Sequence, residues 1–390
     1  MEAKRVALLA GGYSAEGAVA IMSGEHIDNI FKNDKQYQTF LIKVSRDGWF
    51  YEEANNNQKC EVNKDDFSIT LSNNEKIKFN LAMLLMGGSP GEDGQVQGYL
   101  QLLNIPYVGC GILASGRFVV FSRIDSLADL NSSHSSFHSR SLINKMLFLI
   151  VYLISTMHTM TNRSTVLILA LTLNKSFANR IVRSFNSSVI HVSPSIDVNR
   201  STSKYDASSL HLPLIVKPID SGSSLGVTKV NDLSELPAAL SEAFRESNSA
   251  IVEEFIIGRE VTVGVARLSG QIRVLPITEI VHSTKGSFFD INAKFVDASE
   301  KRIVTPAELS EETKKTVEAG VTEVYEKLHL SGLVRIDLML RESDEKVFFL
   351  EVNASPSQTE YSILMKQLAH AGYNGDGLVD FYKQLIQSAC

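Results

Sequence analysis

The chain has 390 residues, 44% of them hydrophobic and 21% charged, which is enough apolar material for more than one buried core. We therefore expect two or three domains. The net charge is −6 and no long run of like charges occurs, so nucleic acid is not expected as a partner. Cys60, Cys110 and Cys390 are odd in number and lack metal-ligand spacing, which favours a reducing cytoplasm. The N-terminus lacks the pattern of a secretion signal.

The first part of the chain predicts an α/β domain. Short apolar runs at 5–10, 37–44 and 79–86 predict strands, and apolar residues at helical spacing predict a helix over 15–31. A glycine-rich loop at 87–94 precedes a second helix that ends before Asn104. This alternation of strand and helix predicts a parallel sheet.

The middle of the chain differs in composition from the rest. No Asp or Glu occurs between Asp129 and Asp197, where the average over the chain predicts about 7.6 acids. Two apolar runs, 146–154 and 166–171, are each well short of the roughly 18 apolar residues that a membrane helix needs. A membrane is therefore not expected as a partner, and the segment resembles an insertion.

The second half predicts an α+β region that is rich in antiparallel hairpins. A helix after 230 is expected to be capped by Asn231 or Asp232, and a longer helix is expected over 310–328. The predicted strands are 214–217, 227–230, 250–255, 261–268, 271–278, 333–340 and 347–352.

A lysine and a glycine- and serine-rich loop form the first candidate binding feature. Lys217 ends a buried strand, and the loop 221–226 returns into the next strand. Small residues allow backbone N–H groups to close over phosphate oxygens, and the lysine adds a positive charge. The loop joins two strands and is not followed by the Walker A lysine, so that motif is excluded. A simple mobile turn is the alternative.

Two neighbouring strands near the C-terminus carry the second candidate feature. Arg335 and Asp337 alternate on one strand, and Glu351 and Asn353 alternate on the next. The last three side chains offer hard oxygen ligands, which suit magnesium bound to nucleotide phosphates. Arg335 suits a carboxylate or phosphoryl oxygen. The alternative is an exposed ladder of ion pairs at a sheet edge.

These features together resemble the ATP-grasp ligases and, within them, the D-alanine–D-alanine ligase family. The resemblance covers nearly the whole chain outside the acid-free segment, through matches at 11–16 with 23–24, 91–94 with 97–98, 105–107 with 109, 215–218, 222–224, 252–254 with 258 and 260, 288–290 with 293–294, 305–307, 335–337 and 351–353. It implies an N-terminal parallel-sheet, Rossmann-like domain followed by a two-lobed ATP-grasp domain. It also implies a cytoplasmic homodimer that makes the dipeptide for peptidoglycan from D-alanine and ATP.

The resemblance implies a role for each matching side chain. For ATP, the phosphates are bound by Lys175, Lys217 and Ser224, the adenine by Glu253, Glu254 and Ile256, the ribose by Glu260, and the γ-phosphate by Lys294. Two Mg²⁺ or Mn²⁺ ions are bound by Asp337, Glu351 and Asn353. Glu16 and Ser223 orient the ammonium of the first D-alanine, while Arg335 binds the reacting carboxylate and the backbone of Ser357 faces the oxyanion.

The sequence departs from the family pattern at three positions near this chemistry. Gly87 stands where the family usually has His, Ser357 where it has Gly, and Phe295 where D-alanine ligases have Tyr. A positive φ would strain Ser357. Because D-alanine–D-lactate ligases differ at the position of Phe295, a depsipeptide ligase stays open as an alternative, as does a weakly active or inactive ATP-binding homologue.

The family pattern also divides the chain. A motif that is continuous in the family is split here by 54 residues, 116–169. The expected divisions are an N-terminal substrate domain over 1–115, an atypical insertion over 116–169, a central ATP-grasp lobe over 170–252 and a C-terminal lobe over 253–390.

Overall fold

The computed structural model describes residues 3–14, 16–111, 175–201, 205–219, 226–282 and 301–389. The predicted insertion at 116–169 and the predicted site residues Ser223, Ser224 and Lys294 lie outside these ranges, as does Phe295. The division of the chain at 115, 169 and 252 therefore stays a prediction. In the described part of the chain, no helix is both long and apolar enough to cross a membrane.

A six-stranded sheet forms the N-terminal region, in the order β4-β3-β2-β1-β7-β8. Four of its strands are parallel neighbours, which confirms the predicted parallel sheet. Two antiparallel strands, β3 and β4, extend one edge of the sheet. Between β4 and β7 in the sequence, the chain forms a small hairpin of β5 and β6. The elements are β1 (Lys4–Gly11), α1 (Gly17–Phe31), β2 (Tyr37–Ser45), β3 (Gly48–Glu52), β4 (Lys59–Glu61), β5 (Ser68–Thr70), β6 (Lys76–Lys78), β7 (Leu81–Leu84), α2 (Gln95–Leu102) and β8 (Tyr107–Val108).

A four-stranded antiparallel sheet follows, in the order β10-β13-β11-β12. Its strands are β10 (Ser195–Asn199), β11 (Leu214–Pro218), β12 (Thr228–Val230) and β13 (Ser249–Glu254), and its helix is α4 (Leu236–Glu246). Asp232 caps the short 3₁₀ turn before α4 by accepting a hydrogen bond from the N–H of Ser234, which confirms one of the two predicted caps. Alternate strand residues such as Val216 and Val252 pack against α4, so the intervening side chains face away from it.

A seven-stranded sheet forms the C-terminal region, in the order β17-β16-β14-β18-β19-β9, with β15 on β14. Helices α3 and α5 cover one of its faces, and α6 and α7 pack against the N-terminal region. The elements are α3 (Lys175–Ser184), β9 (Ile190–His191), β14 (Gly258–Leu268), β15 (Gln271–Val274), β16 (Thr278–His282), β17 (Lys301–Val304), α5 (Glu311–Lys327), β18 (Leu333–Arg341), β19 (Val347–Asn353), α6 (Ile363–His370) and α7 (Asp376–Gln387).

The prediction of a single strand over 271–278 is wrong, because the chain forms β15 and β16 with a break between them. Pro276 lies in that break. A proline has no N–H to donate to a strand partner, so it interrupts the ladder.

A β-bulge in β19 controls which side chains face the interior. Asp337 pairs with Glu351, whereas Leu338 pairs with Phe349, so Leu350 has no partner residue of its own. Phe349 and Val352 both lie in the core under the sheet, although they are three positions apart in the chain. The bulge therefore reverses the alternation and turns Glu351 to the face opposite the core.

We expect the predicted insertion to be dispensable. Loop-closure entropy grows only logarithmically with length, so joining Ser115 directly to Ala170 should not cost stability. The shortened chain should unfold at the same or a higher temperature and bind ATP at least as tightly, because Lys175 would be tied directly to the preceding domain. Thermal unfolding and ATP titration measure both properties. Loss of folding or of ATP binding only in the shortened chain would identify the segment as structural.

Candidate active site

The seven-stranded sheet has a polar face opposite its core. Strand alternation sends Val261, Val263 and Ile336 to the core and their neighbours to the other face. Antiparallel pairing aligns Thr262, Asp337 and Glu351 across three strands, and it pairs Arg335 with Asn353 in the adjacent row. The polar face thus carries Glu260, Thr262, Arg335, Asp337, Glu351 and Asn353.

Asp337 is the centre of the hydrogen bonds on this face. Both of its oxygens accept from Arg335, whose Nε and Nη2 each lie 2.9 Å away. Asn353 Nδ2 donates to Oδ2 at 2.9 Å, and the Thr262 hydroxyl donates to Oδ1. Burial alone would raise the pKa of Asp337, but the Arg335 charge and these donors hold it below its ordinary value. The residue is therefore a carboxylate at neutral pH.

Lys217 faces the polar surface from the four-stranded sheet. Its ammonium forms an ion pair with the buried Glu253 carboxylate on the neighbouring strand β13. Burial alone would lower the pKa of Lys217, but the carboxylates of Glu253, Glu351 and Glu260 together raise it. Because two of those acids belong to the seven-stranded sheet, the two sheets bring their charged faces together.

The first residue of α3 joins the same group. Lys175 Nζ lies 3.5 Å from Glu351 Oε2, and its side chain is mostly buried. Asn179, one helical turn later, lies with its Nδ2 3.5 Å from the other oxygen of Glu253. The predicted phosphate-binding lysines and metal ligands are thus brought together. Asn179 and Thr262 were not predicted, since nothing in their local sequence indicates these distant partners.

The three residues predicted at the adenine do not all face the same way. Glu253 points toward Lys217, whereas the next carboxylate, Glu254, accepts from the backbone N–H of His211 at 2.9 Å. The carbonyl of Glu254 accepts from the Ser193 hydroxyl at 2.7 Å. Ile256 is half-buried. The roles of these residues toward a nucleotide stay predictions.

On the N-terminal side, Glu16 lies immediately before α1 and close to the loop at Gly87. A Cβ added at Gly87 would be 2.6 Å from Glu16 Oε2, so the Glu16 carboxylate uses space that a larger residue at 87 would take. Gly87 therefore leaves room for the Glu16 carboxylate.

Glu92 is a buried carboxyl group in the matched motif at 91–94. The sequence analysis predicts no role for it. Its two oxygens accept from the backbone N–H of Gly88 at 2.8 Å and of Ser355 at 2.9 Å. Burial raises the pKa of Glu92 to about 7, and the nearby Glu16 charge adds to that effect. The backbone N–H groups around the carboxylate lower its pKa but only partly offset the effect of burial.

Glu92 should make the free energy of unfolding depend on pH. The group binds a proton below about pH 7 when folded but only below its ordinary pKa of 4.5 when unfolded, so raising the pH through this range favours unfolding. A pKa shift of this size lowers the free energy of unfolding by an amount on the order of 3 kcal/mol across the whole range. Urea unfolding at pH 5.5 and 8 should detect about 2 kcal/mol of this loss, because the rest has already occurred at pH 5.5. Glu92→Gln should remove this part of the pH dependence, and an unchanged dependence would contradict the assignment.

Ser357 lies in the loop after β19 and is half-buried. Its hydroxyl oxygen is 3.4 Å from that of Thr359. Ser357 is not among the non-glycine residues with positive φ in the described ranges. The strain that a positive φ would have produced at this position is therefore absent.

The donor set on the polar face fits a hard divalent cation. Asp337 and Glu351 are cross-strand neighbours, and Asn353 adds an amide oxygen. Arg335 and Lys175 now neutralise the two carboxylates. No group of three or more His, Cys, Asp or Glu side chains that could hold a metal ion is found among the described residues.

Comparison with known proteins identifies the family. A family model described as "D-ala D-ala ligase N-terminus" matches residues 5–110, and one described as "D-ala D-ala ligase C-terminus" matches 190–387. A D-alanine–D-alanine ligase of Azobacteroides pseudotrichonymphae is 30% identical, with 99% of each chain covered. The ligase of that name from Flavobacterium johnsoniae is 31% identical, with 98% of each chain covered.

Solved structures show the same fold. D-alanyl-alanine synthetase A from Vibrio cholerae matches with a TM-score of 0.72 at 21% identity, covering 100% of this chain and 99% of that one. The VanG D-Ala:D-Ser ligase of Enterococcus faecalis matches with a TM-score of 0.70 at 23% identity, covering 100% of both chains. These likenesses confirm the predicted fold class, an N-terminal α/β domain followed by an ATP-grasp domain. The chain belongs to the D-alanine–D-alanine ligase family.

Proposed function

We propose that the chain ligates two D-alanine molecules with the hydrolysis of ATP to ADP and phosphate, supplying the dipeptide for peptidoglycan. The observation that carries the proposal is the group of charged side chains in which Lys217 lies near Arg335, Asp337 and Glu351. Such a group combines cations for phosphate and carboxylate oxygens with anionic ligands for a divalent metal. Family membership supports the identity of the substrates.

In this proposal, the nucleotide lies between the two sheets. Lys175 and Lys217 bind phosphate oxygens, and the buried Glu253 beside Lys217 lies at the adenine end. Glu260, on the same polar face as Asp337, binds the ribose hydroxyls. Ser224 and Lys294 complete the phosphate site by resemblance. Positioning and charge neutralisation supply most of the catalytic effect in phosphoryl transfer.

Asp337, Glu351 and Asn353 would hold two magnesium or manganese ions. The ions, when bound, neutralise phosphate charge and orient the γ-phosphate for transfer. Asn353 fits this role because its Nδ2 is turned to Asp337, which fixes the orientation of the amide. The Thr262 hydroxyl fixes the Asp337 carboxylate in the same way.

The reaction follows from the weak reactivity of a carboxylate toward an amine. A carboxylate oxygen of the first D-alanine attacks the γ-phosphorus, and ADP leaves, forming an acyl phosphate. The amine of the second D-alanine then attacks the carbonyl carbon, loses a proton and expels phosphate. Glu16 and Ser223 hold the first ammonium, Arg335 binds the reacting carboxylate, and the Ser357 N–H faces the oxyanion.

A coupled assay of ADP release tests the proposal. Release should require D-alanine together with a divalent cation, and D-alanyl-D-alanine should appear in equal amount. Adding D-lactate across a range of pH distinguishes a depsipeptide ligase, which would form the ester product. If D-alanine does not stimulate ADP release, the chain is an inactive ATP-binding homologue.

The assembly and location of the protein are part of the same proposal. We infer a cytoplasmic homodimer from the family resemblance. Cys60 and Cys110 are both buried and neither forms a disulfide, in keeping with a reducing compartment. Light scattering after size-exclusion chromatography measures the mass in solution, and a monomer would overturn the dimer.

A further inference from the structure

The loop that follows β19 is held by two acceptors from the N-terminal region. The N–H of Ser355 donates to Glu92 Oε1 at 2.9 Å, and the N–H of Gln358 donates to Ser23 Oγ at 3.0 Å. The two acceptors are hundreds of residues away in the chain from the groups that they bind. Ser357, which is proposed to face the oxyanion, lies between the two bound N–H groups.

The Glu92 carboxylate and the Ser23 hydroxyl can both fix the backbone of the loop after β19. Glu92 is 6% exposed and Ser23 is 2% exposed, so water does not compete for either hydrogen bond. The Ser23 hydroxyl hydrogen is donated to the carbonyl of Val19 at 3.0 Å, which leaves its lone pairs for Gln358. The far end of Gln358 is also fixed, because its Oε1 accepts from the Tyr382 hydroxyl at 2.9 Å.

Glu92 links this loop to a second one. Its other oxygen accepts from the N–H of Gly88, next to Gly87 and the Glu16 carboxylate. One buried carboxyl group therefore joins the loop near the proposed site of the first ammonium to the loop near the proposed oxyanion. The amino-acid site is built from both loops.

We propose that Glu92 and Ser23 are positioning residues that fix the backbone of 354–358 on the N-terminal region and so hold the Ser357 N–H in place for catalysis. The inference rests on the proposed function. Neither side chain need touch a substrate. A displacement of about 1 Å in a group that stabilises the transition state lowers the rate on the order of a hundredfold, so loosening either contact should lower kcat.

Kinetics of Glu92→Gln and Ser23→Ala test the proposal. Assays at pH 8.5 keep Glu92 ionised in the unsubstituted chain. Each variant should lose about tenfold or more in kcat, since an oxyanion donor is worth on the order of a hundredfold. The KM for ATP should stay within about twofold, because the nucleotide residues are untouched. The double variant should lose less than the product of the single losses, since both contacts hold one loop.

Ser68→Ala is the matched control for Ser23→Ala. Ser68 is 1% exposed, lies in the same N-terminal region and donates to Asp66 at 2.6 Å, but it does not contact the loop. It should keep the kcat of the unsubstituted chain. If Ser23→Ala and Glu92→Gln also keep kcat within about twofold, the positioning role is wrong.

Amide hydrogen exchange provides a test that does not depend on activity. Exchange at Gln358 should become faster in Ser23→Ala, and exchange at Ser355 faster in Glu92→Gln, while Ser68→Ala changes neither. Unchanged exchange at both amides would overturn the proposal. If the unsubstituted chain shows no D-alanine-dependent ADP release, the proposed function fails, and hydrogen exchange alone then decides whether the two residues hold the loop.

Discussion

Asp337→Asn and Glu351→Gln should each lower D-alanine-dependent ADP release on the order of a thousandfold, with the fold retained. Each change removes one negative charge from the oxygen ligands proposed for magnesium. Asp337 also accepts from Nε and Nη2 of Arg335, so Asp337→Asn weakens the contacts that orient the guanidinium proposed to bind the reacting carboxylate. Both substitutions keep the size of the side chain, and circular dichroism should be unchanged.

Asp344→Asn is a matched control for Asp337→Asn. Asp344 accepts from Nε and Nη2 of Arg341 at 2.8 and 2.7 Å, which is the same two-bond pairing on the same hairpin but away from the charged group around Asp337. It should turn over at the rate of the unsubstituted chain. Near-normal release by either Asp337→Asn or Glu351→Gln would rule out the proposed metal ligands.

Lys217→Ala should weaken ATP binding and slow phosphoryl transfer together. The ammonium is buried and faces acids on both sheets, so its charge is available to a bound phosphate in the ground state and the transition state alike. Isothermal titration with ATP and the rate of ADP release measure the two effects. Lys43→Ala, which breaks an ion pair with Glu52 on the N-terminal sheet, is the control and should change neither.

Lys217→Ala should also lower the stability of the fold, and this effect must be separated from the effect on ATP binding. Removing one partner of a buried ion pair costs about 3–5 kcal/mol because the other charge stays buried, here that of Glu253. The double variant Lys217→Ala with Glu253→Gln should recover much of the stability but not the ATP affinity. If ATP affinity and rate are unchanged in the single variant, the nucleotide lies elsewhere.

Local patterns in the sequence predict much of the fold. Short apolar runs predict the parallel strands around Val6 and Leu41, and period-two spacing predicts the two strands that carry Asp337 and Glu351. The strands between 48 and 78 were not predicted because three of the four have only three residues. Helices α6 and α7 were also not predicted.

The contacts within the site were less predictable than its residue types. The period-two spacing of Arg335 and Asp337 correctly places both on one face, since a regular strand needs only local information. Glu92 belongs to a recognised motif, but its contact with Ser355 joins positions 263 residues apart. Local patterns contain no information on such pairing, which is set by how the domains pack.

The bulge at Leu350 means that β19 contains one residue more than a regular ladder needs. Deleting Leu350 would place Glu351 directly after Phe349, and the regular pairing that results keeps Phe349 and Val352 in the core and Glu351 on the polar face. Family members with one residue fewer at this point should therefore pair the two strands without a bulge and present the same side chains on each face.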